Sequence, residues 1–439
     1  MPVDDRSQKL CVIGAGSSGL AAVKNLRQLN IPCDCLERND DLGGNWNFGK
    51  RGSSIYASTH LISSKRMTEY TDFPMPREWP EYPSQTQALE YLRAYARRFQ
   101  LLESIEFNTP VERIEPAKHG DPTNGGWLVT LGDGRERRYR GVVIANGHNW
   151  DPKWPNYPGS FAGTSLHSCE YKTPGVLEGK RVLVIGGGNS GCDIAVESAQ
   201  HAAATFHSLR RGYHYLPKFV FGRPIDQAHE RYLRWRVPLT LRRMLSKVVS
   251  LAVLGKPERF GLPRPDHQLF ETHPIINSQM LYYAAHGRLR AKPDVAELLG
   301  ERVRFVDGTE EAIDVIVYAT GFNITIPFIE REQLNWRDGR PDLYLNVFHP
   351  TRDDLFVIGL IQPDSGQWGL VDYQSQLMAR FLHAAKHTPA SAARFRQRKA
   401  REHVDLGDGI HYLRSTRHLL EVEHFSYRKR LQKEIKEMQ

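Results

Sequence analysis

Apolar residues in this chain gather in short unbroken runs, and two of those runs are followed by the same succession of elements. Leu10-Cys11-Val12-Ile13 ends in Gly14-Ala15-Gly16-Ser17-Ser18-Gly19. Apolar positions at helical spacing follow from Leu20 to Asn30, then a second short run from Cys33 to Glu37. Far downstream, Arg181-Val182-Leu183-Val184-Ile185 enters Gly186-Gly187-Gly188-Asn189-Ser190-Gly191. A helical pattern there spans Cys192 to Ala203, and a strand pattern returns at Ala204 to Ser208. Continuous rather than alternating apolar runs suit strands covered on both faces, so each stretch predicts a β-α-β unit of a parallel sheet.

The glycine spacing gives these units a chemistry. The first glycine permits the tight bend, the second lets a pyrophosphate reach the backbone, and the third lets helix and strand pack closely. Phosphates then face the free N–H groups of the helix N-terminus. One such turn is a weak signal. Two, each between a strand and a helix, predict two dinucleotide sites.

An acidic residue about 20 positions beyond the turn is expected to accept hydrogen bonds from ribose hydroxyls. Glu37 occupies that place after the first turn, as an FAD or NAD adenosine would require. After the second turn the place reads Ser208-Leu209-Arg210-Arg211, without an acid. Two guanidiniums and a hydroxyl suit a 2′-phosphate, which favours NADPH over NADH.

Two more apolar strands end in glycine, Val142–Gly147 and Val315–Gly321, and each is read as returning the chain from one unit to the next. Between them, residues 151–161 are crowded with proline and tryptophan and read as a linker. The first unit is thus interrupted by the second and resumes near Gly321.

Composition narrows the partners. With 439 residues the chain is too long for one small core. Lys and Arg total 59 against 50 Asp and Glu, a net +9, which suits nucleic acid, an acidic membrane surface or an anionic cofactor alike. Five cysteines make no disulfide framework and point to a reducing, cytoplasmic setting; Cys33 and Cys35 read as small core residues on one strand face. The opening MPVDDRSQKL leaves no room for a signal peptide. The longest membrane candidate, between Lys247 and Lys256, is far short of the about 20 apolar residues a span needs. The basic and apolar stretch 231–245 reads as a lid or interface helix rather than one lying on a membrane.

The stretch Phe161-Ala162-Gly163-Thr164-Ser165-Leu166-His167-Ser168-Cys169-Glu170-Tyr171 carries F-x-G-x-x-x-H-x-x-x-Y/F at every defined position. With both glycine turns and Ala319-Thr320-Gly321 in order, the chain resembles the flavin-containing monooxygenase family, bacterial-type class B flavoproteins. Asp41-Leu42-Gly43-Gly44-Asn45-Trp46 resembles that family's flavin-contacting loop, and Ser63-Ser64-Lys65 and Asp72-Phe73-Pro74 follow in family order. Leu343–Phe348 and Gly359–Pro363 resemble its C-terminal segments, so that the likeness covers roughly 8–385.

Three departures stand out. Ile62 occupies a position where the family commonly has asparagine, and it cannot donate a hydrogen bond toward flavin. Ala145-Asn146-Gly147 replaces Ala-Thr-Gly. Tyr171-Lys172-Thr173 stands where related Baeyer–Villiger enzymes have Trp followed by Pro or Asp, which favours the heteroatom-oxidising branch.

The resemblance implies a doubly wound α/β fold with two Rossmann-like dinucleotide-binding domains. The FAD domain would take 1–165 and 316–439, the latter with a helical tail; the NADPH domain would take 166–315, with an insertion at about 222–300 shaping the substrate entrance. It implies NADPH- and O2-dependent oxygenation of an amine or sulfide through an FAD C4a-hydroperoxide. Ketone oxidation, an NADPH oxidase and a flavin-binding redox module are the alternatives. FAD candidates are Gly14, Gly16, Ser18, Gly19, Glu37, Gly44, Asn45, Trp46 and Ser63; NADPH candidates are Gly186, Gly188, Asn189, Ser190, Gly191, Ser208, Arg210 and Arg211. His60, Ser63, His167 and Tyr171 are the nearest to catalytic candidates, with Ser58 nearby, although His167 reads better as a hinge and Tyr171 as an anchor. No metal site is expected. The partners are a small molecule and O2, not nucleic acid; membrane-surface contact is not expected, and a homodimer is left open.

Overall fold

A computed structural model describes residues 2–117, 126–235, 237–273, 275–413 and 415–438. The chain divides into two compact units. Unit one comprises Met1–Ser53, His60–His148 and Ile324–Gln439; unit two comprises Ser54–Thr59 and Asn149–Asn323. Arg236 and Pro274, within the stretch read as an insertion, and Gln439 of the tail lie outside the described residues.

In unit one, strand β1 (Asp4–Ile13), helix α1 (Ser17–Gln28) and strand β2 (Cys33–Leu36) form the expected β-α-β unit. β1 pairs in parallel with β2, Leu10 opposite Cys33, and on its other side with Glu136–Ile144. The sheet is completed by Ile105–Glu106 beyond β2, by antiparallel Trp127–Leu131 and Val111–Pro116, and by Leu355–Val357, which lies parallel to Glu136–Ile144. Alternation along β1 fills both faces. Leu10 and Val12 join a core with Leu20, Val23 and Leu26 of α1 and Val371 and Met378 of the helix Trp368–His387. Cys11 and Ile13 face a second core with Trp127, Tyr139 and Val142. Cys33 and Cys35 are buried in the first of these cores, and burial pushes the Cys33 thiol up to about 12.

In unit two, strand β3 (Arg181–Ile185), helix α2 (Asn189–His201) and strand β4 (Ala204–Ser208) repeat the arrangement. The strand order is Leu289–Lys292, β4, β3, Val315–Tyr318, Thr164–His167, all parallel. Val182 and Val184 face α2, while Leu183 and Ile185 pack with Phe206 and Ile316 on the opposite side.

Several expectations change at this level. The stretch 151–161 is not a linker, because Gly159–Phe161 pairs with Val295–Gly300, and the first segment of unit one does not run to 165, because Thr164–His167 is an edge strand of the main sheet of unit two. Likewise Val315–Tyr318 does not return the chain to unit one but sits beside β3, so this unit runs on to Asn323. The insertion is narrower than 222–300, because Leu289–Lys292 is a strand of the parent sheet. The stretch 231–245 is not one helix. Ile225–Arg234 ends and Leu239–Leu254 begins at its cap, Pro238, whose missing N–H and restricted neighbour cannot continue a helix. No helix among the described residues is long and apolar enough to cross a membrane.

Candidate functional site

Each β-α-β unit presents its glycine turn at the C-terminal edge of a parallel sheet. Gly14 takes φ +101° and Gly186 φ +119°, a region that side-chain-bearing residues avoid. A Cβ on Gly14 would lie 2.8 Å from the Ala145 carbonyl oxygen, and one on Gly186 would collide with that of Ala319. A Cβ on Gly19 or Gly191 would collide with the carbonyl oxygen of Gly14 or Gly186, the first glycine of its own turn. The two turns therefore share one steric design, fixed by the return strand and by the helix.

The space ahead of the middle glycine differs in kind. A Cβ on Gly16 would meet only the Gly44 backbone, at 3.6 Å, so two glycines face each other across the approach to the helix. α1 starts at Gly16 and α2 at Gly188, neither with a side-chain cap nor with an acid in its first turn. Uncapped N–H groups with the positive end of the helix dipole behind them form a site for phosphate. The residues present fit a dinucleotide pyrophosphate at both turns.

Around the first turn, Glu37 follows β2 directly and is buried. Its Oε2 accepts from the Ala15 N–H at 2.7 Å and its Oε1 from the Asn39 N–H at 2.9 Å. Two acceptor positions of the carboxylate remain for hydroxyls. Gly44, Asn45 and Trp46 form a short 3-10 turn, and Trp46 meets Trp368 edge-on at 5.7 Å. Gly359 (φ +83°) packs so closely on Ser18 that any side chain there would strike the Ser18 hydroxyl. Ser63 shares a 2.7 Å hydrogen bond with the Thr68 hydroxyl, the His60 backbone bridges to Ser84, and Ile62 is exposed.

Around the second turn, Arg210 and Arg211 are exposed, and Arg211 lies 3.9 Å from the Asp266 carboxylate. Ser208 does not join them. It is buried, and its hydroxyl donates to the Pro293 carbonyl at 2.8 Å, because the last residue of β4 points into the sheet. Asn189 accepts from the Ile276 N–H at 3.2 Å and so ties the stretch read as the insertion to α2.

His167 and Tyr171 are both buried inside unit two. The His167 Nδ1 accepts from the Cys169 N–H at 3.2 Å, which leaves Nε2–H to donate to the Gly321 carbonyl at 3.1 Å. Burial pushes its pKa down, and the rings of Trp154 and Phe322 stand 5.6 and 5.2 Å away. A neutral imidazole with both nitrogens engaged is a clasp between the edge strand and the Gly321 turn. Tyr171 donates to Glu197 of α2 at 2.6 Å, and burial and that carboxylate push its phenol far up.

Two residues at these turns carry no motif in the sequence. His207 in β4 donates from Nε2 to the Gly186 carbonyl at 2.8 Å, and burial holds it down to about 4. His148, just after the Asn146-Gly147 turn, is likewise held down to about 4 by burial. Their positions in otherwise ordinary apolar strings gave no periodic or spacing signal.

A family model described as flavin-binding monooxygenase-like matches residues 7–436. "Flavin-containing monooxygenase 5" of Rattus norvegicus is 33% identical over 441 residues, covering 95% of this chain and 80% of the relative. "Dimethylaniline monooxygenase [N-oxide-forming] 2" of Cavia porcellus is 34% identical over 408 residues, covering 88% and 75%. Among solved structures, cyclohexanone monooxygenase bound to cyclohexanone superposes with a TM-score of 0.70 at 20% identity, covering 98% of this chain and 97% of that one, a likeness of fold.

Proposed function

This chain belongs to the flavin-binding monooxygenase-like family and is an FAD- and NADPH-dependent monooxygenase acting on a small molecule with O2; on that premise we propose that it oxygenates a soft heteroatom, an amine nitrogen or a sulfide sulfur. The observation that carries the reading is the fingerprint ending at Tyr171-Lys172-Thr173, seated on α2 through Glu197, in a chain 34% identical to an N-oxide-forming relative.

FAD, when bound and reduced by NADPH, supplies the chemistry that activates O2. The chain's own residues bind and orient. The N–H groups at the start of α1 would hold the FAD pyrophosphate, and Glu37, with two acceptor positions remaining, would accept from the adenosine ribose hydroxyls. The start of α2 holds the NADPH pyrophosphate, and Arg210 and Arg211 take the 2′-phosphate as charge-assisted donors. Ser208 is withdrawn from that role by its bond to Pro293. His167 and Tyr171 position segments and move no proton. Ile62 is exposed and donates no hydrogen bond.

Product analysis tests the reading. The holoenzyme is supplied with NADPH, O2 and either a tertiary amine, a dialkyl sulfide or a cyclic ketone. Formation of the N-oxide or S-oxide, in proportion to NADPH consumed, is expected. Lactone from the ketone alone, or hydrogen peroxide alone, contradicts it.

A further inference from the structure

Residues 54–59 belong to unit two although the chain on both sides of them belongs to unit one. This short strap lies on the middle of α2, at Asp193 and Glu197, and on the residue after Tyr171. Tyr56 donates to the Asp193 carboxylate at 3.2 Å, and its ring meets Tyr171 at 5.6 Å. Ser58 and Tyr171 donate to the same Glu197 oxygen, at 3.1 and 2.6 Å. The backbone is tied as well: the Ala57 N–H donates to the Lys172 carbonyl at 2.9 Å, and the Lys172 ammonium to the Ile55 carbonyl at 3.0 Å. Asp193 and Glu197 are four residues apart and so lie on one face of α2, which begins at the second glycine turn.

The strap leads without a break into His60, Leu61, Ile62 and Ser63. A ligand at the N-terminus of α2 bears on the helix that carries Asp193 and Glu197. Whatever orders that helix bears on the strap through these bonds, and the strap is continuous in sequence with the next four residues.

We propose that Tyr56 and Tyr171, acting through Asp193 and Glu197, are positioning residues that couple nucleotide occupancy of the second glycine turn to the order of residues 54–64. The inference rests on the assignment of NADPH to that turn. It gives the Tyr of the fingerprint a task distinct from binding or proton transfer, that of holding the strap to the nucleotide-binding helix.

Hydrogen exchange of the FAD-loaded enzyme, with and without NADP+, tests it. NADP+ is expected to slow exchange in 54–64 by about tenfold, together with 186–191, since closing a local opening equilibrium is read directly as protection. In Tyr171→Phe and Tyr56→Phe the response at 54–64 is lost while 186–191 is still protected. Glu197→Gln, whose amide oxygen still accepts, keeps more of the response than Glu197→Ala. Ser58→Ala serves the same purpose at an exposed edge should a tyrosine variant fail to fold, and is expected to weaken the response. Protection at 186–191 without any at 54–64 in the parent enzyme, or an undiminished response in Tyr171→Phe, overturns the coupling. Absence of protection at 186–191 overturns the assignment of NADPH to that turn, and the coupling with it.

Discussion

Arg210 and Arg211 stand exposed beyond the end of β4, where the ribose of a dinucleotide on α2 would end. A charge-assisted hydrogen bond contributes about 1.5–3 kcal/mol, so replacing either with Ala is expected to weaken NADPH binding about tenfold to a hundredfold. NADH binding should change little, and titration of the flavoprotein with each nucleotide checks the difference. The arginines stood out in sequence because two basic residues in the place after a strand are a pattern that suits a 2′-phosphate. Ser208 shared that place but not that fate, because strand alternation turned its hydroxyl toward Pro293. His207 lay beyond any motif: one imidazole on one carbonyl, Gly186, leaves no spacing to find. At Ile62, introducing asparagine restores a donor at an exposed position. Ile62→Asn is expected to raise the share of NADPH that ends in product rather than hydrogen peroxide, as measured by the ratio of the two.

The two glycine turns are matched elements with separable tasks. Gly14→Ala forces a side chain into a positive-φ position and against Ala145, a strain of about 1–3 kcal/mol before any loss of ligand. The expected result is a protein with little bound flavin, read as visible absorbance per chain. Gly186→Ala makes the same intrusion against Ala319 and is expected to keep its flavin while losing its response to NADP+. Equal flavin loss in both would contradict a division of cofactors between the turns. Both β-α-β units were readable because buried parallel strands and glycine turns have a local sequence grammar. What was not readable was which sheet a strand joins. Thr164–His167 and Val315–Tyr318 pair with partners set by long-range register, and neither proline content nor a terminal glycine records that. The basic stretch 231–245 failed for a local reason, Pro238, whose consequence for the helix outweighed the amphipathic pattern.

Over the whole molecule, several histidines are buried in the neutral form. Burial holds His148, His207 and His349 down to about 4 and His424 to about 3, against about 6.5 in an unfolded chain. Between those values the unfolded chain binds more protons than the folded one. Stability is therefore complete above about pH 6.5 and falls as the pH drops toward 4. Asp364, Asp354 and Glu69 work in the opposite direction, since burial pushes their carboxyls up, but burial also lowers His167 and His214, and the histidines outnumber the raised carboxyls. The denaturant midpoint is expected to be lower at pH 5 than at pH 7.5, with a shallower difference in His207→Gln. An unchanged midpoint would contradict the burial of neutral imidazoles. The sequence resemblance reached about residue 385, whereas the family model continues to 436. In the tail helix His424–Glu437, Phe425, Tyr427, Leu431 and Ile435 are buried, and Glu434 is paired with Arg398 and accepts from the Tyr344 hydroxyl. Those contacts are long-range, and no glycine turn or fingerprint marks the helix in the sequence.

The central claim is that NADPH and O2 are used together to place one oxygen atom on a soft heteroatom. Its most direct test is turnover of the FAD-loaded enzyme with NADPH and a dialkyl sulfide under isotopically heavy O2, with mass analysis of the product. The account predicts a sulfoxide carrying one heavy oxygen, formed in step with NADPH oxidation. A sulfoxide whose oxygen comes from water, or NADPH consumption that yields only hydrogen peroxide, would contradict it.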